Sequence, residues 1–146
     1  MTQLNAGIIG TGFIAAVHAN AIRNSGHQVV GVAGSSVESG KTFAAKHNAT
    51  TVFATWQELI ASPDVQVVHI CTPNALHAEI AIAAAKAGKQ IVCEKPISVT
   101  LAEAKAIDSV VSANGVGFAV PFAYRFYPVV REMRSRVQNG EGGPVH

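Results

Sequence analysis

Short apolar runs and longer alanine-rich stretches alternate along almost the whole chain, and this alternation constrains the fold more than any single residue does. Residues 4–9, 28–33, 51–53, 65–70, 90–93 and 117–120 read as strands, apolar and set between turn-forming residues. Residues 13–23, 38–47, 56–61, 75–87 and 101–113 read as helices. Thr55 with Glu58, and Thr100 with Glu103, have the spacing of capping boxes, and Asn74 stands where a helix cap belongs. Gly88 and the pair Asn114-Gly115 close the helices before them. Strands separated by helices require crossovers, and crossovers require a parallel sheet. Right-handed connections then select an α/β, doubly wound, mainly parallel sheet with helices on both faces, the Rossmann arrangement. After Pro121 the pattern changes: an aromatic stretch leads to Pro128, placed to open a helix that runs to about Gln138.

At 146 residues the chain suits one such domain, and a globule of this size hides roughly 70% of its unfolded surface. With 49% apolar and only 14% charged residues it is too hydrophobic for disorder. Lys and Arg number 11 against 9 acidic residues, and only Arg131, Arg134 and Arg136 cluster, so nucleic acid is not an expected partner. Cys71 and Cys93 make no disulfide framework and read as small buried residues. The first five residues lack the basic region of a signal peptide, and no run approaches the ~18 apolar residues of a membrane span. A soluble protein of the reducing cytoplasm, away from membranes, is the expectation. His18, His27, His47, His69 and His146 show no ligand spacing, so no metal site is expected.

The sharpest local feature is the sequence Gly-Thr-Gly-Phe-Ile-Ala at residues 10–15, between the first strand and the first helix. It has the G-x-G-x-x-G/A form that cradles a dinucleotide pyrophosphate. Gly10 permits the tight turn, Gly12 lets a ligand reach the backbone, and Ala15 lets helix and strand approach. The helix start adds unpaired N–H groups and partial positive charge. Gly10, Thr11, Gly12, Phe13 and Ile14 are therefore expected cofactor-binding residues. At the end of the second strand, where an NAD site usually carries Asp or Glu, the chain reads Gly34-Ser35-Ser36. Ser35 and Ser36 can donate to a 2′-phosphate that no carboxylate repels. This tips the expectation toward NADP over NAD, although Lys41 is the nearest cation.

Two further clusters sit at strand ends on the same side. Cys71, Thr72, Pro73 and Asn74 follow the fourth strand, with His77 one turn on, and are expected to face the cofactor crevice. Cys93, Glu94, Lys95 and Pro96 follow or end the fifth. Lys95 there can bind a substrate hydroxyl and help move its proton, and Glu94 can pair with Lys95 or bind a ribose. A stand-alone nucleotide-binding or redox-sensing module is the alternative, but it has no need of Lys95. A methyltransferase would want an acid ending the second strand, and a short-chain dehydrogenase would want Lys where Pro128 stands after Tyr124.

Together these elements resemble the family of glucose–fructose oxidoreductase, inositol dehydrogenase and rhizopine-catabolism proteins (Gfo/Idh/MocA). The resemblance rests on residues 10–15, on Cys71-Thr72-Pro73-Asn74 with His77, on Glu94-Lys95-Pro96 after Ala87-Gly88-Lys89, and on Tyr124-Arg125-Phe126 followed by Pro128. It implies an NAD(P)-dependent oxidoreductase acting on a sugar, cyclitol or related polyol, a homo-oligomer at full length, with Lys95 as the active-site lysine. Ala123 departs from the Asn often found there. Family enzymes are more than twice this long and carry a C-terminal substrate domain. The resemblance therefore implies a cofactor domain over residues 1–121 and the truncated start of the second domain over 122–146. In that reading residues 142–145 lead into its first strand, and this chain alone is inactive.

Overall fold

A computed structural model describes residues 3–141 and residue 143. Six strands form one sheet: β1 (Asn5–Ile9), β2 (Gln28–Ala33), β3 (Thr51–Phe53), β4 (Val67–Ile70), β5 (Gln90–Cys93) and β6 (Phe118–Ala119). Their order is β3-β2-β1-β4-β5-β6, and every neighbouring pair is parallel. This is the doubly wound order expected from the alternation, with its switch point between β1 and β4.

Among the described residues the α-helices are α1 (Phe13–Asn24), α2 (Val37–His47), α3 (Trp56–Ala61), α4 (His77–Lys86), α5 (Leu101–Asn114) and α6 (Pro128–Gln138). Successive side chains of a strand point to opposite faces, so the sheet serves two cores. On one face Ala6, Ile8 and Val32 pack under Ala15, Ala19 and Ile22 of α1 and Phe43 of α2. On the other, Ile9, Val68, Ile70, Ile91 and Cys93 pack under Leu59 of α3, Ile80, Ala81 and Ala84 of α4 and Ile107 of α5. The alanines of α1 and α4 let these helices lie close to the strands.

Local chemistry sets the boundaries. Thr55 and Thr100 cap α3 and α5 as the spacing predicts, the latter in a reciprocal box with Glu103. Asn74 does not cap α4: residues Asn74–Leu76 form a 3-10 turn, and neither that turn nor α4 has a side-chain cap. The helix therefore begins at His77, two residues later than expected. Ser36 caps α2 and exchanges hydrogen bonds with Ser39, so this helix starts one residue earlier than expected. β4 starts at Val67 rather than at residue 65, and β6 keeps only two of four expected residues. A 3-10 turn, Ala123–Phe126, precedes α6, every residue of which is exposed. The expected strand entry at residues 142–145 lies outside the described residues. Among the described residues no helix is long and apolar enough to cross a membrane.

Candidate active site

The carboxyl ends of the strands line up along one edge of the sheet. A cleft of about 650 Å³ opens there, walled by residues 10–12 after β1, 33–35 at β2, 54–57 after β3, and 71–73 with Leu76 after β4. The two glycines of the first turn have different duties. Gly10 has φ of +108°, and a Cβ there would stand 2.4 Å from the Cys71 carbonyl oxygen, so only glycine fits. Gly12 has an ordinary φ of −79°, and a Cβ on it would meet nothing within 4 Å. Neither its backbone nor its packing explains the absence of a side chain; open space above the turn is what remains.

Gly12 also opens α1, whose N-terminus has no side-chain cap and no acidic residue in its first turn. The first N–H groups of a helix have no partner within it, so this end is suited to an anion. On the facing wall Thr72 carries a buried Oγ1 with no hydrogen-bond partner, the only such side-chain atom among the described residues. An open glycine, an uncapped helix start and an orphan hydroxyl fit a phosphate-bearing cofactor.

The remaining expected site residues divide. Ser35 is exposed and lines the cleft, whereas the Ser36 Oγ accepts the Ser39 amide as the cap of α2. A side chain at position 34 would crowd Ser39 Oγ and stand 3.0 Å from the Gly40 amide nitrogen and the Ser36 carbonyl oxygen. Lys41 turns toward Glu38 on its own helix. Phe13 is 86% exposed and borders a neighbouring groove between α1 and α2, while Ile14 packs against the core. Cys71 and Pro73 line the cleft, but Asn74 is exposed and does not. Burial, then the nearby Glu94 charge, pushes both thiols up, Cys93 to about 12, so both are inert packing groups at neutral pH.

His77 was expected to face the crevice and does not. It is 0% exposed, its Nδ1 lying 2.8 Å from the Pro96 carbonyl oxygen and its Nε2 3.0 Å from that of Thr72. Starting α4 at His77 turns its ring inward, where it ties the segment after β4 to the segment after β5. Glu94 also departs from expectation. Its carboxylate makes no ion pair with the Lys95 ammonium; it is 8% exposed and bonded to His18 Nε2 at 3.0 Å and to the Lys95 amide at 3.1 Å. A carboxylate withdrawn from water needs such donors. Lys95 itself is exposed just beyond β5. With strands about 4.8 Å apart, the end of β5 lies two strands, roughly 10 Å, from that of β1.

The sequence reading missed two groups. Trp56 and Gln57, with Ala54 and Thr55, wall the cleft beyond β2; their place after an outer strand's carboxyl end was the available signal. His18 was the other, and its spacing from Ala15 and Ile22 already puts it on the buried face of α1.

A family profile described as an oxidoreductase family with an NAD-binding Rossmann fold matches residues 4–122. The chain belongs to that family. It is 35% identical over 158 residues to levoglucosan dehydrogenase of Pseudarthrobacter phenanthrenivorans, a match spanning 99% of this chain and 40% of that one. A solved levoglucosan dehydrogenase complex with NADH and levoglucosan superposes with a TM-score of 0.85 at 36% identity, covering 95% of this chain and 40% of the other. Biliverdin reductase from Synechocystis, solved with biliverdin and NADP+, gives 0.84 at 31% identity, covering 94% and 43%. The chain thus spans about 40% of the length of the curated relatives it matches.

Proposed function

We propose that this chain is the cofactor-binding part of an NAD(P)-dependent dehydrogenase that oxidises a secondary alcohol of a sugar, cyclitol or related polyol. The observation that carries the reading is the open space at Gly12 above an uncapped helix start. The amides that begin α1 hold the pyrophosphate, Gly10 shapes the turn, and Thr72 donates its unpartnered hydroxyl. Ser35 holds the adenosine ribose or its 2′-phosphate. With no carboxylate at residues 34–36, we favour NADP(H) over NAD(H). The nicotinamide, when bound, supplies the hydride acceptor. Lys95 donates hydrogen bonds to the alcohol oxygen and stabilises the negative charge developing on it as the hydroxyl proton passes to a base of the substrate domain. Its exposed position beyond β5 supports this role.

The levoglucosan named for one relative supports a sugar-like alcohol, and the length the relatives have beyond this match supports a second, substrate-binding domain starting near residue 122. A homo-oligomer in the cytoplasm completes the reading, the two buried free thiols being compatible with a reducing compartment. Calorimetry tests the site. The unaltered protein binds NADP(H) more tightly than NAD(H), and Gly12→Val, which fills the open space, loses at least tenfold in affinity for both. Undiminished binding by Gly12→Val overturns the site, and tighter NAD(H) binding by the unaltered protein overturns the preference.

A further inference from the structure

Three polar side chains are joined under the end of β5, in a part of the molecule otherwise packed with apolar groups. His18, on the buried face of α1, has Nε2 3.0 Å from Glu94 Oε1 and Nδ1 2.9 Å from Nδ1 of His69 in β4. The two rings stand edge to face, with centroids 5.2 Å apart. The other Glu94 oxygen, Oε2, accepts the Lys95 amide.

The proton facing Glu94 can be assigned from these contacts. An ionised carboxylate only accepts, so His18 Nε2 carries a hydrogen. Burial, then the adjacent His18, pushes His69 down to about 3, so its ring is neutral at ordinary pH. One hydrogen serves the contact between the two Nδ1 atoms. Either ring can hold it, and in both arrangements His18 Nε2 donates to Glu94. A neighbour that fixes a histidine's tautomer in this way also fixes its ring orientation.

We propose that His18 is a positioning residue for Lys95, holding the Glu94 carboxylate from α1 while His69 steadies the His18 ring edge to face. The proposal rests on the reading of Lys95 given above. The Lys95–Pro96 segment is then anchored from both sides: through its amide by Glu94 and His18, and through the Pro96 carbonyl by His77 of α4. A lysine side chain is long and free to rotate, so the place of its ammonium depends on a fixed backbone beneath it. Packing alone does not call for this arrangement, because apolar residues of similar volume are often at least as stabilising as a buried ionic group.

The test is made in the full-length protein with His18→Leu, His18→Gln and Lys95→Met. A glutamine amide can donate to Glu94 in place of the imidazole, whereas leucine cannot. Displacing a catalytic group by about 1 Å costs up to roughly a hundredfold in rate. His18→Leu therefore lowers kcat ten- to a hundredfold with cofactor Kd within twofold, and His18→Gln recovers most of the loss. In the unaltered protein, 15N imidazole spectra show His18 carrying a proton at Nε2. Unchanged kcat in His18→Leu while Lys95→Met is inactive overturns the positioning role and leaves the lysine reading standing. Full turnover by Lys95→Met overturns both. A His18 ring protonated only at Nδ1 overturns the proposal even if His18→Leu fails to fold.

Discussion

Gly10 and Gly12 look alike in the sequence, but the structure asks different things of them. Alanine at position 10 takes on a positive φ and pushes its methyl into the Cys71 carbonyl. A strained backbone of this kind costs about 1–3 kcal/mol. Gly10→Ala is therefore expected to lose about 2 kcal/mol or more in urea unfolding, whereas Gly12→Ala stays within about 0.5 kcal/mol of the parent. His69 gives a second prediction at this scale. The unfolded chain binds a proton on this histidine near pH 6.5, while the folded ring refuses it until about 3. Between those values the unfolded state holds more protons, so stability falls as pH drops through this window and is unaffected by this group above it. Unfolding measured from pH 7 to 3 shows a shallower fall in His69→Gln than in the parent.

Between elements, the Thr72–His77–Pro96 contact is the clearest tie. Removing the ring leaves a buried carbonyl, that of Pro96 or of Thr72, without its donor, and a buried unpaired polar group costs about 1–3 kcal/mol. His77→Leu is expected to lower stability by about 1–3 kcal/mol on that basis, as read from its denaturation midpoint. Elements of this kind are also where the sequence stopped being informative. The strand–helix alternation and the reciprocal Thr100–Glu103 spacing carry the sheet order and the start of α5, because both depend on neighbours in the chain. The inward turn of His77 and the swing of Glu94 toward His18 depend on groups 19 and 76 residues away. No local spacing encodes such distances. Gly10 and Gly12 were legible as a turn, while their separate reasons appear only once the Cys71 carbonyl is in place.

At the scale of the molecule, the two sandwiched cores contrast with α6. Its Val129, Met133 and Val137 recur at one helical spacing, and all are exposed, as are Phe122, Tyr124 and Phe126 before it. Apolar surface gathered in this way marks an interface. The 146-residue chain is expected to self-associate with rising concentration, and Met133→Lys with Val137→Lys reduces this in light scattering; a monomer at all concentrations without dye-accessible apolar surface counts against it. The strand order has a consequence for synthesis. β1 lies mid-sheet, between β2 and β4. It leaves the ribosome before the other strands of this sheet, yet its partner on one side comes much later: Asn5 waits for Gln66, 61 residues further on. Until then the edge of β1 that will meet β4 is an open row of backbone donors and acceptors beside Ile8 and Ile9. Nascent chains from which β4 has not yet emerged thus present a template for pairing with one another, and a chaperone that shields this edge has its work to do before the fourth strand emerges.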